Sequence, residues 1–247
     1  MESLNDEQVK EFNQNAVLIL PNFLSGSLCK EMINYLENAE EDIIKRFKDR
    51  KRYLSTEIID EKEFIKYFEF PLEDNADLFG KAVNSDMFEI SKILLKSKVR
   101  LKSVEIHSRF GGCSSIPKHQ DNAYYGLKGG KALTFYIALN SQKESEGGLI
   151  YIRNNIENEL QHKPSDANGF SLTLENNNIH KKETRYDFSA GDCSVHHSRS
   201  IHFAEKVPLN TERAWVLRTS LYSEMDYVKP EHKDWYLEMV KKNRANL

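Results

Sequence analysis

Two periodicities divide the chain. After the turn-like Ser25-Gly26-Ser27, apolar side chains recur at Leu28, Met32, Ile33, Leu36, Ala39, Ile43, Ile44 and Phe47. Steps of three and four put them on one stripe of a helix, with Ser27 available as its cap. Residues 85–95 predict a second helix, and the region around 235–242 a third. The short apolar run 16–20, stopped by Pro21-Asn22, predicts a strand. From about residue 97 the period falls to two. Across 100–110, Val104, Ile106, Ser108 and Phe110 alternate with Ser103, Glu105, His107 and Arg109, as on a strand with two distinct faces. Further strands are predicted at 132–139, 148–152, 192–197 and 213–222. Gly111-Gly112, Gly129-Gly130, Gly147-Gly148 and Gly191-Asp192 punctuate them as turns. The pattern predicts a mainly β fold with flanking helices (α+β), a sandwich or barrel of short strands. It reads as one domain over 1–247: a mainly helical layer at 1–96, a β core at 97–225 and a C-terminal helix at 226–247.

Composition narrows the partners. The 247 residues carry a net charge of -3, with 39% hydrophobic and 30% charged positions, and the mean hydropathy is -0.63. No apolar run approaches the length of a membrane span. The mild acidity argues against a general binder of nucleic acid or anionic membrane, so a small molecule is the expected partner. The acidic start, without an apolar core, predicts no secretory signal. Three scattered cysteines, Cys29, Cys113 and Cys193, form no CxxC pair and suit a reducing cytoplasm. Oligomeric state leaves no trace in the pattern.

The chemistry gathers in the β half. In Lys118-His119-Gln120-Asp121, an extended backbone projects His119 and Asp121 from one face, so both can meet one ion. A second group, His196-His197-Ser198-Arg199-Ser200-Ile201-His202, follows Gly191-Asp192. Two histidines and one carboxylate on one side of a metal leave three positions open, the arrangement of non-haem Fe(II) oxygenases. Arg213, eleven residues after His202, has a planar fork suited to clamping a carboxylate, and Arg218 is its rival on the same strand. At odd separation the two arginines face opposite sides. An HxD pair alone means little, since about 0.4 are expected by chance from this composition. His232-Lys233-Asp234 is such a pair and reads as surface. Spacing alone leaves the third ligand open among His196, His197 and His202.

These residues resemble the phytanoyl-CoA dioxygenase (PhyH-like) family. The resemblance is carried by Lys118-His119-Gln120-Asp121, the run 132–139, Glu146-Gly147-Gly148-Leu149-Ile150-Tyr151-Ile152, Gly191-Asp192 and His202…Asn210…Arg213, and it runs from about residue 10 to 222. It implies a double-stranded β-helix (jelly-roll, cupin-like) and an oxidoreductase using Fe(II), 2-oxoglutarate and O2. Its metal ligands would be His119, Asp121 and His202. It gives Arg213 the far carboxylate of 2-oxoglutarate, brings Gln120 up to that cosubstrate and adds Thr134 and Tyr136 to the same pocket. His162 would line the substrate pocket. His107, Tyr124 and Tyr125 are candidates either for substrate contact or for ordinary packing. Two stretches depart from the family: Arg153-Asn154-Asn155-Ile156 after the GGL strand and Phe203-Ala204-Glu205-Lys206 after the third ligand. They suggest a specialised substrate. Asp121 is present, so halogenation is not expected. The implied reaction is hydroxylation of an aliphatic C–H with release of succinate and CO2. Desaturation, epimerisation or phosphonate oxidation at the same iron, or a non-catalytic cupin-like binding protein, are the alternatives. Lys118, Arg199, Lys206 and Arg109 hint at an anionic substrate.

Overall fold

The computed structural model describes residues 4–246 except 51–52, 60, 154–155, 168, 177–178 and 180, so Asn154 and Asn155 of the first departure lie outside the described residues. The chain opens with helix α1 (Asp6–Asn15), closed at its amino end by a reciprocal box between Asn5 and Gln8. Strand β1 (Val17–Leu20) follows, then α2 (Gly26–Phe47). Ser25, not Ser27, caps α2, because a capping oxygen must precede the N–H it accepts by three residues, here that of Leu28. Glu40, a charged residue on the buried face, interrupts the apolar stripe.

The layer expected to be helical also holds a hairpin, β2 (Leu54–Ile59) and β3 (Lys62–Phe68). Charged side chains at Lys62, Glu63 and Lys66 mask its alternation. After the short helices α3 (Pro71–Asp74) and α4 (Ala76–Phe79) comes α5 (Ser85–Leu95), capped by Asn84. The β half contains β4 (Val99–Arg109), β5 (Ile116–Gln120), the one-turn helix α6 (Asn122–Tyr125), β6 (Ala132–Ala138) and β7 (Leu149–Ile152). Beyond these lie β8 (His162–Ala167), β9 (Phe170–Leu174), β10 (Glu183–Arg185), β11 (Cys193–His197), β12 (Ile201–Ala204), β13 (Ala214–Ser223) and helix α7 (His232–Asn246).

Two antiparallel sheets face each other, ordered β1-β11-β6-β13-β4-β3-β2 and β10-β7-β12-β5, with β8-β9 as a separate ribbon. This is the jelly-roll. One face of the larger sheet buries Leu133, Phe135 and Ile137 of β6, with Trp215, Leu217 and Leu221 of β13, against Met32, Leu36 and Ile43 of α2 and Met87 and Ile90 of α5. At roughly 25 cal/mol per Å2 this apolar face is the main source of stability. The opposite face encloses the inter-sheet space, where Val17, Tyr136 and Val216 meet Ile116, Leu149, Tyr151 and Ala204 of the smaller sheet. The β8-β9 ribbon is tied down at one side. Tyr124 Oη shares hydrogen bonds with the Leu172 backbone, and Asn243 of α7 donates to the Ser165 carbonyl. Cys29, Cys113 and Cys193 are buried and unpaired. Among the described residues, no helix is long and apolar enough to cross a membrane.

Candidate metal centre

Strand alternation delivers the cluster. In the smaller sheet His119 of β5 and His202 of β12 are directly opposed, and both point into the inter-sheet space. Asp121 follows immediately after β5. His119 Nε2 and His202 Nε2 each lie 3.7 Å from Asp121 Oδ1. The three ligand atoms fall within 4.8 Å of one another, and all three residues are buried. Each imidazole gives its Nδ1–H to a backbone carbonyl two residues earlier: His119 to Pro117 at 2.8 Å, His202 to Ser200 at 3.1 Å. That fixes the tautomer and leaves both Nε2 lone pairs facing the common centre. Burial, together with the adjacent His119, pushes the His202 pKa well below its usual value and keeps the ring neutral.

The second carboxylate oxygen of Asp121 is fully engaged. Oδ2 accepts from Thr134 Oγ1 at 2.6 Å, Arg218 Nη2 at 2.8 Å and His196 Nε2 at 3.2 Å. Burial would raise the Asp121 carboxyl, but Arg218 with His119 and His196 holds it well below the ordinary range. Behind it, Arg218 Nη1 reaches Glu105 Oε2 at 2.7 Å, and Ser103 and His107 donate to the same carboxylate. His196, one rival for third ligand, is therefore a donor to Asp121, its Nδ1 facing the Tyr151 hydroxyl at 3.2 Å. His197, the other rival, accepts the Arg199 N–H, away from the cluster.

Other expected residues fall into two groups. Thr134 holds Asp121, and Tyr136 and His107 line a cavity within the same inter-sheet space. Tyr125 is a packing and hydrogen-bonding residue: its hydroxyl sits 2.7 Å from both Ser220 Oγ and Arg218 Nη2. Tyr124 sets its ring edge-on to His119 at 5.5 Å, with its hydroxyl committed to β9. Gln120 is not turned toward the centre. One residue on from His119 it faces the outside of the small sheet, donating to the carbonyls of Arg199 and Asn158 and accepting from Leu160 N–H. His162 is likewise spent: its Nε2 accepts the Gln120 N–H and its Nδ1 donates to Leu160.

Arg213 is the main correction. It shares the helix-covered face of the large sheet with Trp215, over whose ring its guanidinium lies at 3.8 Å. There it makes two bonds to Glu40 of α2, at 2.6 and 2.8 Å. Arg218, five positions on, instead faces the group formed by His119, Asp121 and His202, where it pairs with Asp121. The HxD-like His232 is half-buried rather than on the surface, its Nε2 bonded to the Tyr124 carbonyl. Sequence reasoning gave no role to Glu105 or Tyr151. Glu105 carried a readable signal, since it shares a strand face with His107.

The profile of the family described as phytanoyl-CoA dioxygenase (PhyH) matches residues 12–207. Curated protein sequences give no match. Among solved structures, the chain is similar to the epimerase SnoN in complex with Fe3+, alpha ketoglutarate and nogalamycin RO (13% identity, 91% of this chain and 86% of that one, TM-score 0.71). It is also similar to the alpha ketoglutarate dependent carbocyclase SnoK (16%, 96% and 91%, 0.71) and to EctD from S. alaskensis with 2-oxoglutarate and 5-hydroxyectoine (11%, 92% and 79%, 0.73).

Proposed function

This chain belongs to the phytanoyl-CoA dioxygenase (PhyH) family, a family of Fe(II)- and 2-oxoglutarate-dependent oxygenases, and from that premise we propose that it hydroxylates an aliphatic C–H of a small molecule. The observation that carries the iron assignment is the donor set itself. Two imidazole nitrogens and a single carboxylate oxygen converge from two neighbouring strands and the residue that follows one of them, and among the described residues no hydrogen bond uses the two Nε2 lone pairs. His119, Asp121 and His202 would hold the ion. When bound, Fe(II) with 2-oxoglutarate and O2 supplies the oxidising power, releasing succinate and CO2 as one C–H becomes C–OH. The protein orients and shields: Arg218, Thr134 and His196 leave Asp121 one free oxygen, and Tyr136, Ile116 and Leu149 keep the adjoining space apolar.

Of the four cations that hinted at an anionic substrate, Arg109 lines the inter-sheet cavity. Arg199 donates to the carbonyls of Glu157 and Lys128, Lys118 lies over the Phe203 ring, and Lys206 is exposed. Among these four, the case for a negatively charged substrate therefore rests on Arg109, for which a different use follows below. The epimerase and the carbocyclase share this fold, which keeps epimerisation or ring closure as the second reading. Product analysis by mass separates the two, since hydroxylation adds one oxygen. The iron reading is tested by anaerobic titration of metal-free protein with Fe(II) and then 2-oxoglutarate. A weak visible charge-transfer band is expected in the wild type and absent in His202→Ala. A folded wild type without the band would make this a binding protein.

A further inference from the structure

Arg109 is the end residue of β4, on the face shared with Glu105 and His107 and opposite Ala214 of β13. It is 6% exposed, and no carboxylate lies within ion-pair distance of it among the described residues. Two of its five N–H groups are used, Nη1 on the Ser114 carbonyl at 2.7 Å and Nη2 on the Glu205 carbonyl at 2.6 Å, while Nε has no partner. A buried guanidinium without a counter-ion is costly unless something negative arrives. Burial holds its pKa below the ordinary arginine value, with Cys113, Tyr136 and Glu57 opposing that shift. The side chain lines a cavity walled by Tyr136, Val216, Ile116 and Leu149. Phe170, in the same wall, lies 6.3 Å from the His119 ring, so the cavity abuts the metal centre.

The glycine turn before β7 is shaped around this guanidinium. Gly147 has φ +82°, and a Cβ there would come within 3.2 Å of Arg109 Nη2 and 2.6 Å of Val207 Cγ2. Only glycine fits both the backbone and the space. Arg213, the residue the sequence offered for a carboxylate, is on the other face of the sheet and already paired with Glu40.

We propose that Arg109 takes the far carboxylate of 2-oxoglutarate, whose carbon chain lies along the cavity between Tyr136, Val216 and Leu149. The proposal rests on the Fe(II)/2-oxoglutarate reading above. A charge-assisted pair to the guanidinium would complete the unused donors and neutralise the buried cation.

The test compares 2-oxoglutarate with 2-oxopentanoate, which keeps the keto-acid end and has a methyl group in place of the far carboxylate. Both are titrated anaerobically into Fe(II)-loaded protein, with the visible band read as binding. In Arg109→Gln, 2-oxoglutarate affinity falls about 30-fold or more while 2-oxopentanoate affinity stays within about twofold, so the preference for the dicarboxylate collapses. Arg109→Lys keeps the cation but loses the fork, guards against a folding failure, and reduces the preference by about tenfold. Arg213→Met leaves the preference unchanged. An undiminished preference in both folded Arg109 variants, or its collapse in a folded Arg213→Met or in the charge-free Glu40→Met/Arg213→Met pair, overturns the assignment. A wild type giving no band with either acid sinks the iron reading instead, a distinguishable failure.

Discussion

Asp121 and Arg218 show how much chemistry hangs on one contact. Arg218 lies largely covered between two carboxylates, Asp121 at 2.8 Å and Glu105 at 2.7 Å, and although desolvation opposes it these two anions drive its pKa upward. Removing the cation leaves two buried anions facing one another. Arg218→Met is therefore expected to destabilise the fold by about 3–5 kcal/mol. Because Asp121 would lose a fixed partner, Fe(II) affinity should also fall about 10- to 100-fold. Arg218→Lys should keep part of the stability but bridge only one carboxylate, with iron affinity in between. Denaturant melts and Fe(II) titrations of the two variants check this; two proteins as stable and as tight as wild type would show that Thr134 and His196 alone position the ligand.

At the level of elements, the Glu40–Arg213 pair fastens α2 to the large sheet. Glu40 Oε1 also accepts the Ile65 N–H from β3, so one carboxylate serves helix and sheet together. Arg213→Met should cost about 3–5 kcal/mol by stranding Glu40, whereas Glu40→Met with Arg213→Met, which removes both charges, should recover most of it. If the double variant is no better than the single one, the pair is not the clamp described. This is also where the sequence misled. The helix stripe, the strand periods and the shared face of His119 and Asp121 were legible because each repeats a local rule, whereas His202 came only with the family resemblance, since spacing left it level with His196 and His197. The face of Arg213 follows from the register of β13 on β4, with Trp215 opposite Ser108. No spacing rule encodes that register. The odd separation of Arg213 and Arg218 did show that only one of them could face inward. What chose between them was Glu40, 173 residues earlier. The β2-β3 hairpin was hidden for a related reason: its pairing with β4 rests on Tyr67 and Phe68, among charges that broke the alternation.

Across the whole molecule, protonation of buried histidines decides how stability follows pH. His197 is 7% exposed and its Nδ1 accepts the Arg199 N–H; burial, with Arg199 nearby, lowers its pKa to about 3 from 6.5. His162, which accepts the Gln120 N–H, is lowered by burial to about 4. Between these values and 6.5 the unfolded chain takes up protons that the folded chain refuses, so stability falls as pH falls. The slope is about 1.4 kcal/mol per pH unit for a group such as His197. Above 6.5 both states are neutral there and the curve flattens. Asp121 and Glu105 act in a different window. Burial raises both, yet Arg218 outweighs it and depresses them, so their contribution is complete above the ordinary carboxylate values and is lost only in stronger acid. From about pH 4.5 to 6.5 the histidines therefore set the slope. Denaturation midpoints of the metal-free protein should be level from pH 7.5 to 6.5 and drop steadily to 5.0. His197→Gln, neutral and still offering an acceptor, should shallow that drop by about one group's worth. A midpoint that rises on acidification, or a His197→Gln slope equal to wild type, would mean that His197 is charged or solvated in the folded chain.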